Sequence, residues 1–435
     1  MRRHPQNTVH ASKWLRGKIT LQETETERIL TIPIRDDGRE YSVDSLYNDQ
    51  LEVVCVVLNT LHEFLHIEDL NEFKPLRIIL NGQGGSGKSV VINTVVAVMR
   101  KMFGINDVVK VVAATGTAAY NVNGETFHHL FGMGVKKGEY KPNTQSAAAR
   151  KRLVQKFKML LALIIDERSL VTSKILGTAA TYLSETLHGG GHYREQSWGG
   201  LPILIIAGDD YQLPGIGDGV LTALVSRAGS KMTQIGRQTF LDCAQYVMDL
   251  GGSKRMNNSE SKNRQLLNRL RTGEPTEEDV WKLMSLHLEN IERVHGRSKV
   301  DEITDKAIFL FYRNIKRQQH NLKQLVKKSS QENPVAICRS VSNGTTRAKG
   351  YQSHFESDLP ATALLCVGAK VALSDRNFYP AWGLHNGACG TVDEIVFAEG
   401  GNPNHGALPQ YVVVDFPQYS GPIWDEDNPT VSIHI

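Results

Sequence analysis

The segment Gly82–Ser89 constrains the fold of this chain more than any other feature. Its spacing, G-x-x-x-x-G-K-S, is that of a phosphate-binding P-loop. The short apolar run Leu76–Leu80 precedes it, and apolar residues recur at helical spacing from Val91 to Met102 after it. A buried strand, a glycine loop and a helix form the context in which this spacing is credible. The sequence therefore predicts an α/β sheet with a P-loop.

The residue types of this loop suit the phosphates of a nucleotide. Glycines let backbone N–H groups close around phosphate oxygens, and the N-terminus of the following helix adds a positive dipole end. We expect Lys88 to reach the β- and γ-phosphates and the Ser89 hydroxyl to ligate Mg²⁺. The predicted phosphate contacts are Gly82, Gly84, Gly85, Ser86, Gly87, Lys88 and Ser89.

Composition narrows the class of protein only moderately. The chain has 435 residues, enough for two or three domains, and its formal net charge of +4 says little about partners. Five scattered cysteines without a C-x-x-C pair argue against a zinc site or disulfides and fit a reducing, intracellular compartment. No apolar run approaches the ~18 residues of a membrane span, so no membrane partner is expected. Residues 1–22 carry five Lys/Arg and no acid, resembling a transit peptide, but Pro5 favours a basic tail.

Three further apolar runs each stop at a polar cluster. They are Val108–Ala114, Met159–Ile165 and Pro202–Ala207. This pattern is typical of parallel strands whose C-terminal ends line a ligand crevice. We expect a loosely ordered extension over residues 1–40 and a first domain over residues 41–235.

Polar residues at these strand ends have the chemistry of nucleotide hydrolysis. Asp166 is expected to hold Mg²⁺ opposite Ser89, while the adjacent Glu167 polarises the attacking water. Gln212 follows the last of these runs and is expected to hydrogen-bond the γ-phosphate. The two neighbouring carboxylates therefore take separate roles, one at the metal and one as the base.

The pattern restarts in part after residue 240. Ala307–Phe311, Val367–Leu373 and Tyr411–Phe416 are strand candidates, and Asn314–Val326 is a helix candidate. We expect residues 236–435 to form a second α/β domain that is less complete than the first.

Several segments in addition to the P-loop follow the order of one helicase family. They are Asn48–Gln50, Ala114–Ala119, Gly124–His128, Asp166–Glu167, Trp198–Gly200, Gly208–Pro214, Lys254–Met256 and Gly383–Gly390. With them the chain resembles the petite-integration-frequency family of superfamily-one 5′–3′ DNA helicases, relatives of the RecD and Helitron helicases. The resemblance covers about residues 45 to 425.

The resemblance implies an ATP hydrolase that moves 5′–3′ on single-stranded DNA, with two RecA-like parallel-sheet domains. ATP and Mg²⁺ are the implied cofactors, and single-stranded and forked DNA are the implied partners of a monomer. The implied processes are DNA repair, recombination or telomere maintenance, in the nucleus or mitochondrion of a eukaryote. The resemblance also places Gln50 at the adenine base and Arg255 at the γ-phosphate. The DNA contacts that it implies are Thr115, Gly116, Thr126, Phe127, His128, Asn386 and Gly387.

The chain also departs from the family pattern. Arg168 stands where the family has an apolar residue, and Asp210 where it has an aromatic one. A cation beside Glu167 is expected to lower its base strength. The family's H-K-S-Q-G and V-A-L-S-R segments do not occur before Ile435. The resemblance thus predicts an incomplete second domain, one arginine fewer at the γ-phosphate, and duplex unwinding that is poor or absent.

Two basic stretches suit a phosphate backbone. Lys136–Lys158 carries eight Lys/Arg against one acid, and Arg313–Lys328 carries six and no acid. A solvated helix face is the alternative interpretation of each stretch. Nearby aromatic side chains suggest base stacking by Phe127, Phe131, Tyr140 and Phe157.

Two other functions stay open at this point. One is a nucleotide-dependent single-strand DNA-binding protein without unwinding activity. The other is a small-molecule P-loop kinase, which the second α/β pattern and the Gly208–Pro214 segment disfavour. DNA-stimulated ATP hydrolysis separates a helicase from such a kinase.

Overall fold

The structure, a computed structural model, has two compact units. Chain contacts divide it into residues 1–272 and residues 273–435. None of the described helices combines the length and the hydropathy that a membrane span requires. The described residues are 29, 32, 34–36, 39–69, 72–133, 147–187, 197–215, 230–252, 254, 261–339, 362–374, 378–401, 407–422 and 431–433.

The first unit is built on a six-stranded parallel sheet with a two-stranded hairpin beside it. The hairpin consists of β1 (Ile34–Asp36) and β2 (Arg39–Tyr41). The sheet strands are β3 (Leu76–Gly82), β4 (Val109–Ala113), β5 (Glu125–Thr126), β6 (Ala162–Asp166), β7 (Ile203–Gly208) and β8 (Tyr246–Leu250), in the order β5-β4-β6-β7-β3-β8. The helices are α1 (Asn48–His66), α2 (Lys88–Phe103), α3 (Gly116–Asn121), α4 (Phe127–Phe131), α5 (Ala147–Phe157), α6 (Ser173–Leu187), α7 (Lys231–Asp242) and α8 (Ser261–Thr272).

Both faces of this sheet are buried, which explains why its central strands are continuous apolar runs. In β3, Ile78 and Leu80 enter one hydrophobic core with α1 and α2, whereas Ile79 enters the opposite core with α4, α5 and α6. The same alternation holds in β6 and β7. Each fully buried Ile or Leu contributes about 1.5–3 kcal/mol relative to exposure. The predicted α/β sheet is therefore confirmed.

The parallel register aligns the C-terminal ends of the strands. Ala113 pairs with Asp166 between β4 and β6, and Asn81 pairs with Gly208 between β3 and β7. The loops that follow β3, β4, β6 and β7 therefore leave the sheet at one edge. This edge carries the residues that the sequence analysis assigned to nucleotide chemistry.

The N-terminal boundary of the first unit differs from the predicted one. Residues 1–40 were expected to form a loose extension, but Ile29, Ile32 and Ile34 are buried in the core that contains α1. The hydroxyl of Tyr41 also donates to the carbonyl of Val90 in α2, at 3.0 Å. Spaced isoleucines provide the apolar contacts that attach this segment. Residues 1–22 lie outside the described residues.

The C-terminal boundary differs as well. A first domain ending at residue 235 would exclude β8, yet β8 pairs in parallel with β3 from Ile78 to Gly82. The sheet edge beside the P-loop strand is thereby covered, and the first unit continues through α8.

The second unit contains helices followed by antiparallel strands. Its helices are α9 (Glu277–Ser285), α10 (Leu288–His295), α11 (Arg297–Lys306) and α12 (Asn314–Lys328). Its strands are β9 (Ala336–Arg339), β10 (Thr362–Leu365), β11 (Lys370–Ala372), β12 (Cys389–Phe397), β13 (Pro409–Asp415) and β14 (Val431–Ile433). The described strands form a β10-β9 pair and a β11-β12-β13-β14 sheet. All of these pairings are antiparallel, so the second parallel sheet that was expected is not formed by the described part of this unit.

Some of the helices and strands predicted for this unit are confirmed and others are not. The helix candidate Asn314–Val326 is confirmed as α12, and Tyr411–Phe416 is confirmed as most of β13. Only Lys370–Ala372 of the candidate Val367–Leu373 is a strand. The strand expected at Ala307–Phe311 is wrong, because this segment pairs with no strand in the part of the chain that the structure describes. Its apolar residues lie largely exposed, with Leu310 at 93%.

Candidate active site

The P-loop connects β3 to α2 through a tight glycine turn. The N–H of Ser86 donates to the carbonyl of Gln83 at 3.1 Å, and Gly85 and Gly87 have φ angles of 83° and 92°. Gly87 directly precedes α2, and a Cβ atom there would collide with the side-chain amide of Gln50. A side chain at Gly87 would therefore be strained by the backbone conformation and would have to displace the Gln50 amide.

Lys88 lies along the loop that it follows. Its Nζ donates to the carbonyl of Gly82 at 2.6 Å and to that of Gln83 at 3.4 Å. Burial lowers the pKa of Lys88, while the nearby carboxylates of Asp166 and Glu167 oppose this shift. The ammonium is therefore held beside the backbone that would surround phosphate oxygens, with acidic groups within electrostatic range.

Asp166 and Glu167 occupy the end of β6 in two different environments. Asp166 is 5% exposed, and burial raises its pKa to about 6. The negative charge of Glu167 also raises this pKa, whereas the hydrogen bond from the backbone N–H of Glu167 and the positive charge of Lys88 lower it. Glu167 has a left-handed backbone with φ 52° and ψ 50°. Such a conformation is strained for a non-glycine residue and is concentrated at functional sites. The two carboxyl groups are thus differentiated by burial and by backbone geometry.

Three buried polar atoms around this loop indicate a place for a ligand. Ser86 Oγ, Asp166 Oδ1 and Glu167 Oε2 are buried and have no hydrogen-bond partner among the residues that the structure describes. A buried polar atom without a partner is unfavourable and marks a missing ion, water or substrate. Oxygen donors of this kind fit Mg²⁺, which prefers carboxylate and phosphate oxygens. The site therefore fits a magnesium–nucleotide complex.

Gln50 connects α1 to the P-loop. It is 3% exposed; its Oε1 accepts from the N–H of Tyr47 at 3.2 Å, and its Nε2 donates to the carbonyl of Ser86 at 3.3 Å. The structure thus places Gln50 directly behind the glycine loop. Its predicted contact with an adenine base stays a prediction.

Lys254, after β8, links α1 to the P-loop through contacts that the sequence analysis missed. Both carboxylate oxygens of Asp49 accept from Lys254 Nζ at 2.6 Å, and one accepts from the N–H of Gly251 at 2.8 Å. The N–H of Lys254 donates to the carbonyl of Gly85 at 2.8 Å, and its ammonium lies 4.6 Å from the ring centroid of Tyr47. Arg255, the predicted γ-phosphate arginine, lies outside the described residues.

The loop after β7 is held by two ion pairs that were also missed. Asp209 pairs with Arg271 of α8, and Asp210 pairs with Arg168, which follows Glu167. Burial alone would raise the pKa of Asp209, but hydrogen bonds from Arg271 and from the N–H of Tyr211 keep it below its usual value. Gln212 is exposed in this loop, and its γ-phosphate contact stays a prediction.

The segments predicted to face DNA meet at the β4 end of the sheet. Ala113 at the end of β4 pairs with Thr126 at the end of β5. Helices α3 and α4, which follow these two strands, therefore begin side by side. Thr115 and Thr126 cap these helices: Thr115 accepts from the N–H of Ala118 at 3.2 Å and Thr126 from that of His129 at 3.3 Å. Gly116 directly follows Thr115 as the first residue of α3. His128 is half-buried, and burial lowers its pKa.

The structure contradicts the predicted DNA contacts of three phenylalanine side chains. Phe127 is 1% exposed and stacks on Phe131 with ring centroids 6.1 Å apart. Phe131 in turn lies 5.5 Å from Phe157, and both are fully buried. All three belong to the core between the sheet and α6, where hydrophobic burial outweighs any role in base stacking. Tyr140 lies outside the described residues.

The two basic stretches are described in part. Lys151 and Arg152 are exposed on α5, whereas Lys156 is paired with Glu125 at 2.8 Å. Residues 134–146 lie outside the described residues. The second stretch forms α12, on which Lys327 pairs with Asp305. The stretch on α5 thus combines exposed cations with one structural ion pair.

The Gly383–Gly390 loop belongs to the second unit. Asn386 and Gly387 are exposed, and the N–H of Gly387 donates to the carbonyl of Leu373 at 2.8 Å. Gly383 has a φ of 82°, and a Cβ there would collide with the carbonyl of Gln418. The loop is therefore a defined turn ahead of β12, and its predicted DNA contact stays a prediction.

Sequence comparison links this chain to one family. The sequence model of the PIF1-like helicase family matches residues 62–278. The ATP-dependent DNA helicase Pif1 of Bdellovibrio bacteriovorus is 31% identical over 137 residues, which are 32% of this chain and 29% of that protein. PIF1 of Saccharomyces cerevisiae is 28% identical over 137 residues, again 32% of this chain but 15% of its own length. The matched segments thus span less than a third of these two relatives.

Solved structures are similar over more of the chain. The crystal structure of Pif1 helicase from Candida albicans has a TM-score of 0.56 at 21% identity and covers 86% of this chain and 76% of that one. The Bacteroides Pif1 helicase in complex with ADP-AlF3 and ssDNA has a TM-score of 0.51 at 18% identity, covering 89% and 74%. These likenesses show the fold, an α/β sheet with a P-loop of the RecA-like type.

The matched residues 62–278 contain the P-loop, both carboxylates at the end of β6 and the loop after β7. These are the elements that the parallel register brings to one edge of the sheet. Sequence match, fold and site geometry therefore agree, and the chain belongs to the PIF1-like helicase family.

Proposed function

We propose that this protein is an ATP-dependent DNA helicase that translocates 5′–3′ on single-stranded DNA and unwinds duplexes. One observation carries the ATP hydrolysis in this proposal, and the family resemblance supplies the DNA and the direction. Ser86, Asp166 and Glu167 each keep a buried oxygen without a partner, in the described part of the chain, beside a P-loop whose lysine is already positioned. This arrangement suits nucleotide hydrolysis.

The residues of the site divide the chemistry among themselves. The P-loop N–H groups and Lys88 bind phosphate oxygens, and Ser89 and Asp166 hold Mg²⁺, which when bound neutralises charge on those oxygens. Glu167 accepts a proton from the attacking water, because its carboxylate keeps an unpaired oxygen. Gln212 and Arg255 complete the proposed set from the loop after β7 and the segment after β8.

DNA binding is proposed for one surface of each unit. The proposed DNA contacts of the first unit, near the end of β4, are Thr115, Gly116, Thr126 and His128. Those of the second unit are Asn386 and Gly387. Exposed Lys151 and Arg152 suit a phosphate backbone without base specificity. Repair, recombination or telomere maintenance in the nucleus or mitochondrion is proposed from the family resemblance alone.

Nucleotide binding is tested by titrating wild type and Lys88→Ala with a fluorescent ATP analogue and Mg²⁺. We expect weaker binding and no detectable hydrolysis in the variant, because the Lys88 ammonium lies against the glycine loop. Lys101→Ala, an exposed lysine at the far end of α2, serves as the matched control. Equal affinity and equal turnover in wild type and Lys88→Ala would contradict the proposed site.

Unwinding and its direction are tested by strand displacement. Duplexes that carry either a 5′ or a 3′ single-stranded tail are mixed with the protein and ATP, and the released strand is measured. The proposal expects release from the 5′-tailed duplex alone, at the low level that the sequence analysis predicts. DNA-stimulated ATP hydrolysis without release from either substrate would instead support a nucleotide-dependent single-strand binder.

A further inference from the structure

Arg168 connects the ends of three neighbouring strands. Its guanidinium donates through Nε and Nη2 to the two carboxylate oxygens of Asp210, at 3.0 and 2.6 Å. Nη2 also donates to Oδ1 of Asn81, and Nη1 approaches the carbonyl of Leu80 at 3.5 Å. Leu80 and Asn81 end the P-loop strand β3, Arg168 follows β6, and Asp210 follows β7. One side chain therefore spans the sheet edge that carries the nucleotide site.

Because Arg168 is buried, its charge must be compensated by nearby acceptors. Its side chain is 2% exposed, whereas that of Asp210 is 44% exposed. A buried guanidinium is stable only when its N–H groups have hydrogen-bond acceptors, and a carboxylate bound in bidentate geometry provides two of them. The backbone is adapted as well, because a Cβ at Gly208 would lie 2.6 Å from Arg168 Cγ. The space beside Gly208 is therefore shaped around the arginine.

Arg168 and Asp210 are also two positions at which the sequence departs from the family pattern. An apolar residue and an aromatic one are replaced by a cation and an anion, and the structure brings these two replacements into contact. A single departure of either kind would leave a buried charge unpaired or an apolar side chain beside a carboxylate. In this protein the two departures therefore form one ion pair.

We propose that the Arg168–Asp210 ion pair positions Glu167 and the loop after β7 relative to the P-loop. Glu167 immediately precedes Arg168 and holds the left-handed φ of 52°. The anchored guanidinium fixes the residue after this strained backbone, so the carboxylate of Glu167 has a defined direction. Arg168 is a positioning residue in this account, which rests on the proposed ATP hydrolysis.

The proposal separates turnover from binding. The phosphate-binding groups of the P-loop remain when the pair is broken, so nucleotide affinity should change by less than about twofold. The rate constant kcat should fall about 10- to 100-fold, since a misplacement of about 1 Å in a catalytic group costs this much. Restoring an apolar pair should recover most of the rate.

The experiment is a double-mutant cycle with Arg168→Met, Asp210→Phe and the combined variant. Analogue affinity, kcat and the urea midpoint of unfolding are measured for each protein. We expect both single variants to lose turnover while they still bind the analogue, and the double variant to return to within about threefold of wild type. Arg168→Lys and Asp210→Asn, which preserve size, replace any single variant that does not fold.

Two results would overturn the proposal. One is a double variant whose kcat equals the product of the two single losses, which would mean that the residues act independently. The other is a wild type without ATP hydrolysis, which removes the proposed function and the positioning role together. Coupling between the two residues in the urea midpoints would then persist and identify a purely structural ion pair.

Discussion

Arg271 of α8 forms a bidentate ion pair with Asp209, the first residue after β7, with Nη1 2.7 Å from Oδ2. The side chain of Asp209 is 1% exposed and that of Arg271 is 27% exposed. The guanidinium also lies 4.1 Å from the ring centroid of Tyr211, two residues along the same loop. The helix that closes the first unit is thereby attached to the edge of the sheet that carries the candidate active site.

Removing this attachment should destabilise the first unit. Arg271→Ala leaves a buried carboxylate without its cation, which costs about 3 kcal/mol in the free energy of unfolding, the low end for a buried pair because Arg271 is 27% exposed. Arg271→Lys keeps the charge but loses the paired geometry and should cost less. Urea unfolding checks both values against Lys262→Ala, an exposed lysine on the same helix. Equal midpoints for Arg271→Ala and the control would contradict the structural role of the pair.

The raised pKa of Asp166 predicts how stability depends on pH. Its pKa is about 6 in the folded protein and near 3.8 when unfolded, so folding favours the protonated carboxyl. The associated stability is complete below about pH 4 and is lost as pH rises through about 6, by roughly 3 kcal/mol at most. Asp166→Asn should remove this dependence.

The measurement is the free energy of unfolding of both proteins from pH 4 to pH 7.5, without nucleotide or Mg²⁺. Wild type should become progressively less stable than Asp166→Asn as pH rises. Parallel curves for the two proteins would show that Asp166 is not titrating in this range. Hydrolysis should show the opposite trend and decline below about pH 6, because metal binding needs the ionised carboxylate.

Gln50 offers a test of two roles for one residue. Both ends of its amide are bonded within the protein, to Tyr47 and to Ser86 of the P-loop. Gln50→Ala should therefore weaken the binding of ATP and of GTP by similar factors of about 10, since the loss of the buried hydrogen bond to Ser86 loosens the loop. Competition titrations with both nucleotides give the two factors. A loss confined to ATP would support the adenine contact expected from the family resemblance.

Salt dependence tests the basic face of α5. For single strands the slope of log K against log salt is about −0.7 for each neutralised phosphate. Lys151→Ala with Arg152→Ala should flatten it by up to about 1.4 if both side chains contact phosphates. Lys74→Ala with Lys101→Ala is the control, because both lysines are exposed and α2 packs on the opposite face of the sheet. Equal slopes in wild type and the α5 variant would assign Lys151 and Arg152 to a solvated face.

The first unit was predictable because its sheet is buried on both sides. Buried parallel strands must be continuous apolar runs, and such runs end where polar loops begin, so Asp166 and Gly208 could be placed at strand ends in advance. The segment Ala307–Phe311 has the same composition but no strand partner in the described residues, and periodicity alone does not report a partner. Composition therefore predicts a strand only where a sheet is available to receive it.

Side-chain roles were less predictable than strand ends. Phe127 lies within a segment expected to face DNA, yet its ring is buried, because the first turn of α4 packs against the sheet. The pairs Arg168–Asp210 and Asp209–Arg271 join residues far apart in the chain, and no local pattern reports such contacts. The departures at Arg168 and Asp210 were the available signal, since an arginine and an aspartate replace apolar residues in the same site.

The role of Glu167 tests the account most directly. The measurement is single-strand-stimulated ATP hydrolysis by wild type and Glu167→Gln, together with the affinity of each protein for a fluorescent ATP analogue. The glutamine keeps the size of the side chain but cannot accept the proton from water, so kcat should fall at least about 100-fold. Analogue affinity should stay within about twofold, because the P-loop and Lys88 are unchanged. Hydrolysis by Glu167→Gln at the wild-type rate would contradict the assignment of the base and, with it, the proposed mechanism.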